Sequence, residues 1–413
     1  MATLYKHQLE AIEFHQSHPK FLLALEQGLG KTAIACSTIT PQDHTLIICP
    51  ATLKLNWERE LKLFSFPHNI VVIKKSSDVL PIIPSTVIIN YELLGRKKNK
   101  VISPNFDFSP FNRVILDESH YIKNPTAIRS LIATKICINT DKVLLLTGTP
   151  LERHRDLYMQ MRALGIITST FHEFGLEYCG AHIVKKFNRT IWDYDSSTNA
   201  PKLKSLISPF IFRKLKSEVL DLPEKIIKII DLDLPIEQKF IPQQITEENI
   251  PEYFSNMASY LREEGIKKIN QAVQHIQMRL ESIRKIFVVA RHLEVIDALK
   301  IQLKEFKPVK LDGRDSIVQK QFAIDQFQNN SDIRVFIGQI QAAGVGITLT
   351  QASHVIIVEA DWSYSALMQV IDRCHRIGQK NKVIAEILTI AKSLDSIMIN
   401  TVLNKKQNIE RIL

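Results

Sequence analysis

The sequence contains no Cys-x-x-Cys spacing: its five cysteines, Cys36, Cys49, Cys137, Cys179 and Cys374, are scattered singly over 413 residues. That argues against a zinc site and a disulfide framework, and it suits a reducing, intracellular compartment. No run of about 18 apolar residues occurs, so no membrane-spanning helix is expected. The opening MATLYKHQLE lacks the apolar centre of a signal peptide. Sequence repeats, low-complexity tracts and a flexible Gly/Ser linker are also missing. Acidic residues are in deficit: 53 Lys and Arg stand against 43 Asp and Glu, a net charge of +10. A basic balance of this size suits a polyanionic partner, and nucleic acid is the commonest. The densest cluster, GRKKNK (Gly95 to Lys100), reads as a solvated loop.

What is present is a repeated pattern of short apolar runs. TLIICPA (Thr45–Ala51), TVIINY (Thr86–Tyr91), RVILDES (Arg113–Ser119) and KVLLLTG (Lys142–Gly148) are too short for helices and rich in Val, Ile and Leu. They do not alternate polar with apolar, so both faces of each strand should be buried, as in a parallel sheet. The pattern returns in KIFVVAR (Lys285–Arg291), RVFIGQI (Arg334–Ile340) and HVIIVEA (His354–Ala360). The fold class is therefore α/β, with two such units in tandem and helical insertions between them. The expected division is 1–222, with a helical insertion over about 151–215, and 223–413, with a leading helical segment over about 236–283. In that segment Ile266, Ile269, Val273, Ile276, Leu280 and Ile283 recur at three and four residues, a stripe that reads as core packing.

The chemistry begins at LALEQGLGKTAIA, Leu23 to Ala35. Apolar residues precede Gly28-Leu29-Gly30-Lys31-Thr32-Ala33 and a helical pattern follows, the strand–loop–helix setting of a phosphate cradle. Glycines let the backbone approach a phosphate and aim N–H groups at it. Lys31 would reach the β/γ-phosphates of ATP, and the Thr32 hydroxyl would meet Mg²⁺. A general phosphate loop would place glycine where this chain has Leu25. Downstream, VILDESH supplies Asp117 to hold Mg²⁺ and Glu118 to orient and deprotonate the attacking water. LLLTGTP, with Thr147, Gly148 and Thr149, reads as a coupling element sensitive to the phosphate state. In QVIDRCHRIGQ, Arg373 and Arg376 would share one face of a helix and could neutralise γ-phosphate charge in the transition state.

This order of motifs resembles helicase superfamily 2, and within it the Swi/Snf-type DNA-translocating ATPases. LYKHQLEAIEF is similar to the Q motif, which implies adenine recognition by Gln8. IICPATLKLNWERE resembles motif Ia through Trp57, LDESHYIKN motif II, LTGTP motif III, and FRKLKSEVLDLP the junction between lobes. QAAGVGITLT resembles motif V, and VEADWSYSALMQVIDRCHRIGQ motif VI, with Gln369 at its head beside the two arginines. TGTPLERHRDLYMQMRALG, FHEFGLEYC and IWDYDSSTNAPKL look like the annealing-helicase (HepA-related) branch, chiefly through a Trp192-Asp193 element in a helical insertion.

The resemblance implies two RecA-like lobes that hydrolyse ATP with Mg²⁺ at their interface and move along duplex or forked DNA, remodelling or reannealing it. It implies Thr52, Trp57 and Thr348 as DNA-facing residues, a monomer, replication, repair or viral proteins as associates, and no membrane partner. The second reading is a strand-separating DNA or RNA helicase. A third, a nucleotide-gated scaffold without hydrolysis, would be expected to have lost Lys31, Glu118 or an arginine, and all are present. The chain departs from the family pattern at Leu25 and Gln27 in motif I and at Gln339 and Ala343 in motif V.

Overall fold

The computed structural model describes residues 4–64, 69–148, 151, 153–186, 189–234, 250–344 and 347–412. The chain divides into two compact units, the first largely Met1–Val184 with Ile191–Leu220, the second largely Asp221–Lys406. Each is built on a parallel sheet.

The first sheet has seven strands: β1 (Lys20–Leu25), β2 (Thr45–Cys49), β3 (Ile70–Val72), β4 (Thr86–Asn90), β5 (Arg113–Leu116), β6 (Lys142–Leu146) and β7 (Ile211–Lys214). Their order is β7-β1-β6-β5-β2-β4-β3, with every pairing parallel. Every residue of β2, β4 and β5 is buried, as the unbroken apolar runs require when both faces of a parallel sheet are covered.

The second sheet has six strands: β8 (Lys225–Leu232), β9 (Ile286–Ala290), β10 (Val309–Leu311), β11 (Val335–Gln339), β12 (His354–Ile357) and β13 (Val383–Ile390). Their order is β8-β13-β12-β9-β11-β10, again wholly parallel. The period-two geometry of a strand sorts its side chains into two cores. Phe287, Val289, Phe336, Val355 and Ile357 pack into one, while Ile286, Val288, Val335, Ile337 and Ile356 pack into the other. Ile269, Val273, Ile276 and Leu280 of helix Ile269–Ser282 close that second core, so the apolar stripe is core packing as expected. Its first member, Ile266, is exposed because the helices are separate pieces, Ile250–Lys267 and Ile269–Ser282.

Three expectations change. The segment expected as a helical insertion over 151–215 also carries strands His182–Lys186 and Arg189–Asp193, and its end, β7, is an edge strand of the first sheet beside β1. Trp192 and Asp193 therefore lie on a strand, with helix Ala200–Ile207 following. GRKKNK is an antiparallel hairpin, Gly95–Lys98 paired with Val101–Pro104, rather than a loop. Of the leading segment, residues 236–249 lie outside the described residues.

Candidate functional site

The loops after β1, β6, β5 and β2, four neighbouring parallel strands, all leave from the same edge of the sheet. In such sheets the carboxyl edge is where ligands gather. The loop after β1 turns through Gly28 and Gly30, both at positive φ (87° and 79°), and Gly30 is the N-terminal cap of helix Lys31–Thr38. A side chain at Gly30 would strike the Gln8 amide at 2.2 Å, so glycine is required there on two counts. Gln8 is held against this loop: its Oε1 accepts from the Tyr5 N–H (2.9 Å), and its Nε2 donates to the Leu29 carbonyl (3.2 Å). Lys31 is buried, with Nζ donating to the Leu25 carbonyl at 2.8 Å. Thr32 and Ala33 are half-buried on the first turn, and Leu29 is fully buried. Exposed N–H groups and positive helix-end charge make this loop suited to phosphate.

Asp117 and Glu118 follow β5. The Asp117 Oδ1 accepts from the Glu118 N–H (2.9 Å), and Oδ2 accepts from the Trp57 indole Nε1–H (2.8 Å). Burial, and then the adjacent Glu118 carboxylate, push the Asp117 carboxyl well above the usual carboxylate range, although the Trp57 donor and Lys31 oppose them. Glu118 sits in the left-handed region at φ 51° and begins the short turn Ser119–Ile122, which turns the chain sharply beside the two carboxylates. His120 links this segment to the loop after β6: its Nδ1 lies 3.3 Å from the Thr147 Oγ1 and 3.3 Å from Glu118 Oε2. Thr147 is fully buried, and a side chain at Gly148 would lie 2.4 Å from the Gln27 amide, so the loops after β1 and β6 touch there. Thr149 lies outside the described residues.

Trp57 is a correction. Expected to face DNA, its side chain is fully buried and its one donor is committed to Asp117. It is a positioning residue for the acid. Thr52, in the turn Ala51–Leu53 after β2, is exposed and free to meet a phosphate.

In the second unit, helix Tyr364–Ile371 ends before the arginines, so Arg373 and Arg376 lie in turns and not on one helical face. Arg373 is buried, its guanidinium bonded to the carbonyls of Gly344 and Ile347. Arg376 is half-exposed and donates from Nη1 to the Thr348 Oγ1 at 3.1 Å. Thr348 itself is exposed, and Gln369 is buried on the preceding helix. Gln339 ties two loops of this edge together, accepting from the Gly313 N–H (2.9 Å) and donating to the Arg291 carbonyl (3.1 Å). Among the described residues no cluster of His, Cys, Asp and Glu could by itself hold a metal ion, and all five cysteines are free and buried.

The family model for the SNF2-related domain matches residues 7–286, and that for the helicase conserved C-terminal domain matches residues 267–378. The chain belongs to the SNF2-related family. It is 32% identical, over 97% of its length, to the SWI/SNF-related matrix-associated actin-dependent regulator of chromatin subfamily A-like protein 1 homolog of Caenorhabditis elegans, covering 61% of that protein. It is 33% identical over 94% of its length to the DNA annealing helicase and endonuclease ZRANB3 of Mus musculus, covering 38% of it. The chain thus spans between two-fifths and three-fifths of these relatives. The Sulfolobus solfataricus SWI2/SNF2 ATPase core in complex with dsDNA aligns with a TM-score of 0.47 at 21% identity, covering 100% of this chain and 97% of that one.

Within this SNF2-related chain, sequence reasoning missed His120 and Gln160. Ser119 Oγ donates to the Gln160 Oε1 at 3.0 Å, fastening the acidic segment to helix Tyr158–Ala163. His120 could have been found from its place directly after Asp-Glu-Ser; Gln160 gives no such signal, because its role exists only through packing.

Proposed function

We propose that this chain is an ATP-driven translocase on duplex DNA that remodels or reanneals it. The single observation that carries the reading is the convergence, on one sheet edge, of the glycine cradle, Lys31, Thr32, Asp117, Glu118 and the Thr147–Gly148 loop. The residues fit ATP and Mg²⁺: the cradle is glycine at both left-handed positions, and Asp117 is a buried carboxylate set by two hydrogen bonds. Thr32 and Asp117 would hold the metal, which when bound offsets charge on the terminal phosphates. Lys31 binds phosphate, and Glu118 takes the proton of the attacking water. Gln8, placed against the cradle, is assigned to the adenine. Arg373 and Arg376 are assigned to transition-state charge. His120 and Thr147 connect the hydrolytic acid to the neighbouring loop, a route by which phosphate state would reach the rest of the unit.

DNA is favoured by the net charge of +10, by the exposed hydroxyls of Thr52 and Thr348, and by relatives named for DNA annealing. Replication or repair proteins are the associates such work would require. The deciding measurement is ATP turnover with and without duplex DNA, duplex RNA and forked DNA. Turnover should be slow alone and much faster with duplex or forked DNA, and Glu118→Gln should abolish it while ATP binding persists. Equal stimulation by RNA would instead point to a strand-separating helicase. Hydrolysis retained in Glu118→Gln would contradict the assigned base.

A further inference from the structure

The hairpin Gly95–Lys98/Val101–Pro104 carries Arg96, Lys97, Lys98 and Lys100, all exposed. None of the four makes an ion pair or a hydrogen bond from its side chain among the described residues. Several other exposed cations are paired: Lys62 with Glu58 (2.6 Å), Lys307 with Asp332 (2.8 Å), Lys382 with Glu224 (3.1 Å), Arg314 with Asp297 (2.7 Å). The hairpin gathers four cations without such partners on one short element.

The element is also built to be rigid. At its base Gly95 lies so close to helix Ile128–Ile138 that a side chain there would meet the Ile132 Cδ1 at 2.0 Å. Ile102 packs on the core, and Asn105 closes the neck by donating from its N–H to the Leu94 carbonyl and from Nδ2 to that of Leu93 (2.9 Å each). The tip turns through Asn99 and Lys100, both left-handed (φ 48° and 65°), the pattern of a tight hairpin turn. Glycine is the ordinary residue at the second of these positions. This chain keeps a cation there instead, accepting backbone strain for a charge at the tip. Val101, beside it, is 66% exposed.

Period-two geometry puts Arg96 and Lys98 on one face, opposite Ser103 and Val101, with Lys97 on the other. The hairpin follows β4, next to β2 in the sheet, whose own loop carries Thr52. We propose that this hairpin is an accessory clamp for the phosphate backbone of duplex DNA, sequence-independent and electrostatic, acting beyond the family's motif loops. The proposal rests on the translocase reading above. An anchored prong with unpaired cations holds phosphates without the entropy cost of ordering a loop.

The test replaces Arg96, Lys97, Lys98 and Lys100 together with serine and measures affinity for a short fluorescent duplex over a salt series. Each phosphate contact contributes a slope of about 0.9 in log K against log salt. Losing the two same-face contacts should lower the slope by about 1.8, so the wild-type advantage shrinks roughly twelvefold between about 50 and 200 mM salt. ATP turnover without DNA should be unchanged. A control variant removing four paired cations, Lys62, Lys307, Lys382 and Lys202, the last paired with Glu177, should leave the slope near wild type. An unaltered slope in the hairpin variant overturns the clamp. So does an unaltered slope with lost binding to polyglutamate, which would assign the hairpin to an acidic protein. Failure of the wild-type chain to bind duplex DNA would sink the translocase reading itself, a distinguishable result.

Discussion

Replacing Trp57 with phenylalanine isolates what the buried indole does for Asp117. The ring would remain in its apolar site, but the 2.8 Å hydrogen bond from Nε1 to Oδ2 would be lost. A hydrogen bond to a charged group contributes about 1.5–3 kcal/mol, and about 1.36 kcal/mol corresponds to one pKa unit. The Asp117 carboxyl, already raised by burial and Glu118, would then rise further, by about one to two pKa units. Protons compete with metal for this oxygen, so the ionised fraction near neutral pH would fall. The Mg²⁺ needed for half-maximal ATP turnover should rise at pH 7.5, by at most the roughly 10- to 150-fold that the lost hydrogen bond corresponds to, and the gap should narrow at pH 9.5. The assay is a Mg²⁺ titration of turnover at both values. Leu61→Ala, which opens a cavity on the same helix without touching Asp117, controls for simple loosening. A loss of Mg²⁺ response equal at the two pH values would refute the reasoning, because a packing defect has no proton to compete with.

Two further predictions concern stability. Asp43 is buried and bonded to Arg113 Nε (2.9 Å) and Lys142 Nζ (2.8 Å); burial pushes its carboxyl up, but these cations and the Thr40 N–H outweigh it and hold the group at about 2. A depressed folded-state value means that the stabilisation, about 2 kcal/mol, is complete above pH 4 and is lost as pH falls toward 2. His15, lowered to about 4 by burial and by Arg113, resists protonation in the folded state and adds a loss between pH 6.5 and 4. Asp43→Asn should therefore destabilise the protein by several kcal/mol at pH 7, on the order of 3–5 as Arg113 loses its partner, and by less at pH 3, read by urea unfolding at both; a gap constant with pH would contradict this. Gln27 is buried, and its Nε2 has no hydrogen-bond partner among the described residues; such a donor costs about 1–3 kcal/mol. Gln27→Met should raise the melting temperature by about 2–6 °C, and an unchanged or lower value would show the amide to be satisfied in solution.

Much of the fold was legible because buried parallel strands write themselves as unbroken Val, Ile and Leu runs, as Ile47–Ile48, Ile88–Ile89 and Val355–Ile357 do. β3 and β10 were not, at three residues apiece and mostly half-buried, and neither was β8, half-exposed over most of its length. β7 was hidden for a different reason: IFRK carries charge, as an edge strand may, and only pairing with β1 reveals it. In the site, glycine and acid spacing located the cradle and Asp117–Glu118. Trp57 went the other way, because a tryptophan in a polar helix reads equally well as surface or as core. Nothing local distinguishes an indole aimed at DNA from one aimed at a carboxylate sixty residues ahead.

Two of the positions where this chain departs from its family's pattern, Leu25 and Gln339, have local physical settings. Leu25 ends β1 fully buried, between β6 and β7, where an acid would carry a large desolvation cost. The motif's glutamate, Glu26, follows it, and its Oε2 accepts from the Lys216 N–H (2.8 Å) just past β7. The cradle is thereby tied to the last segment of the first unit, while Glu10 pairs with Lys214 at 3.2 Å on the same strand. Gln339 has a comparable part in the second unit, where its amide spans two loops at once. A serine hydroxyl, with a single rotatable donor on a short stem, could not reach both Gly313 and Arg291 from that position. Both positions are thus accommodated around a cradle whose glycines, Lys31 and two carboxylates are in place.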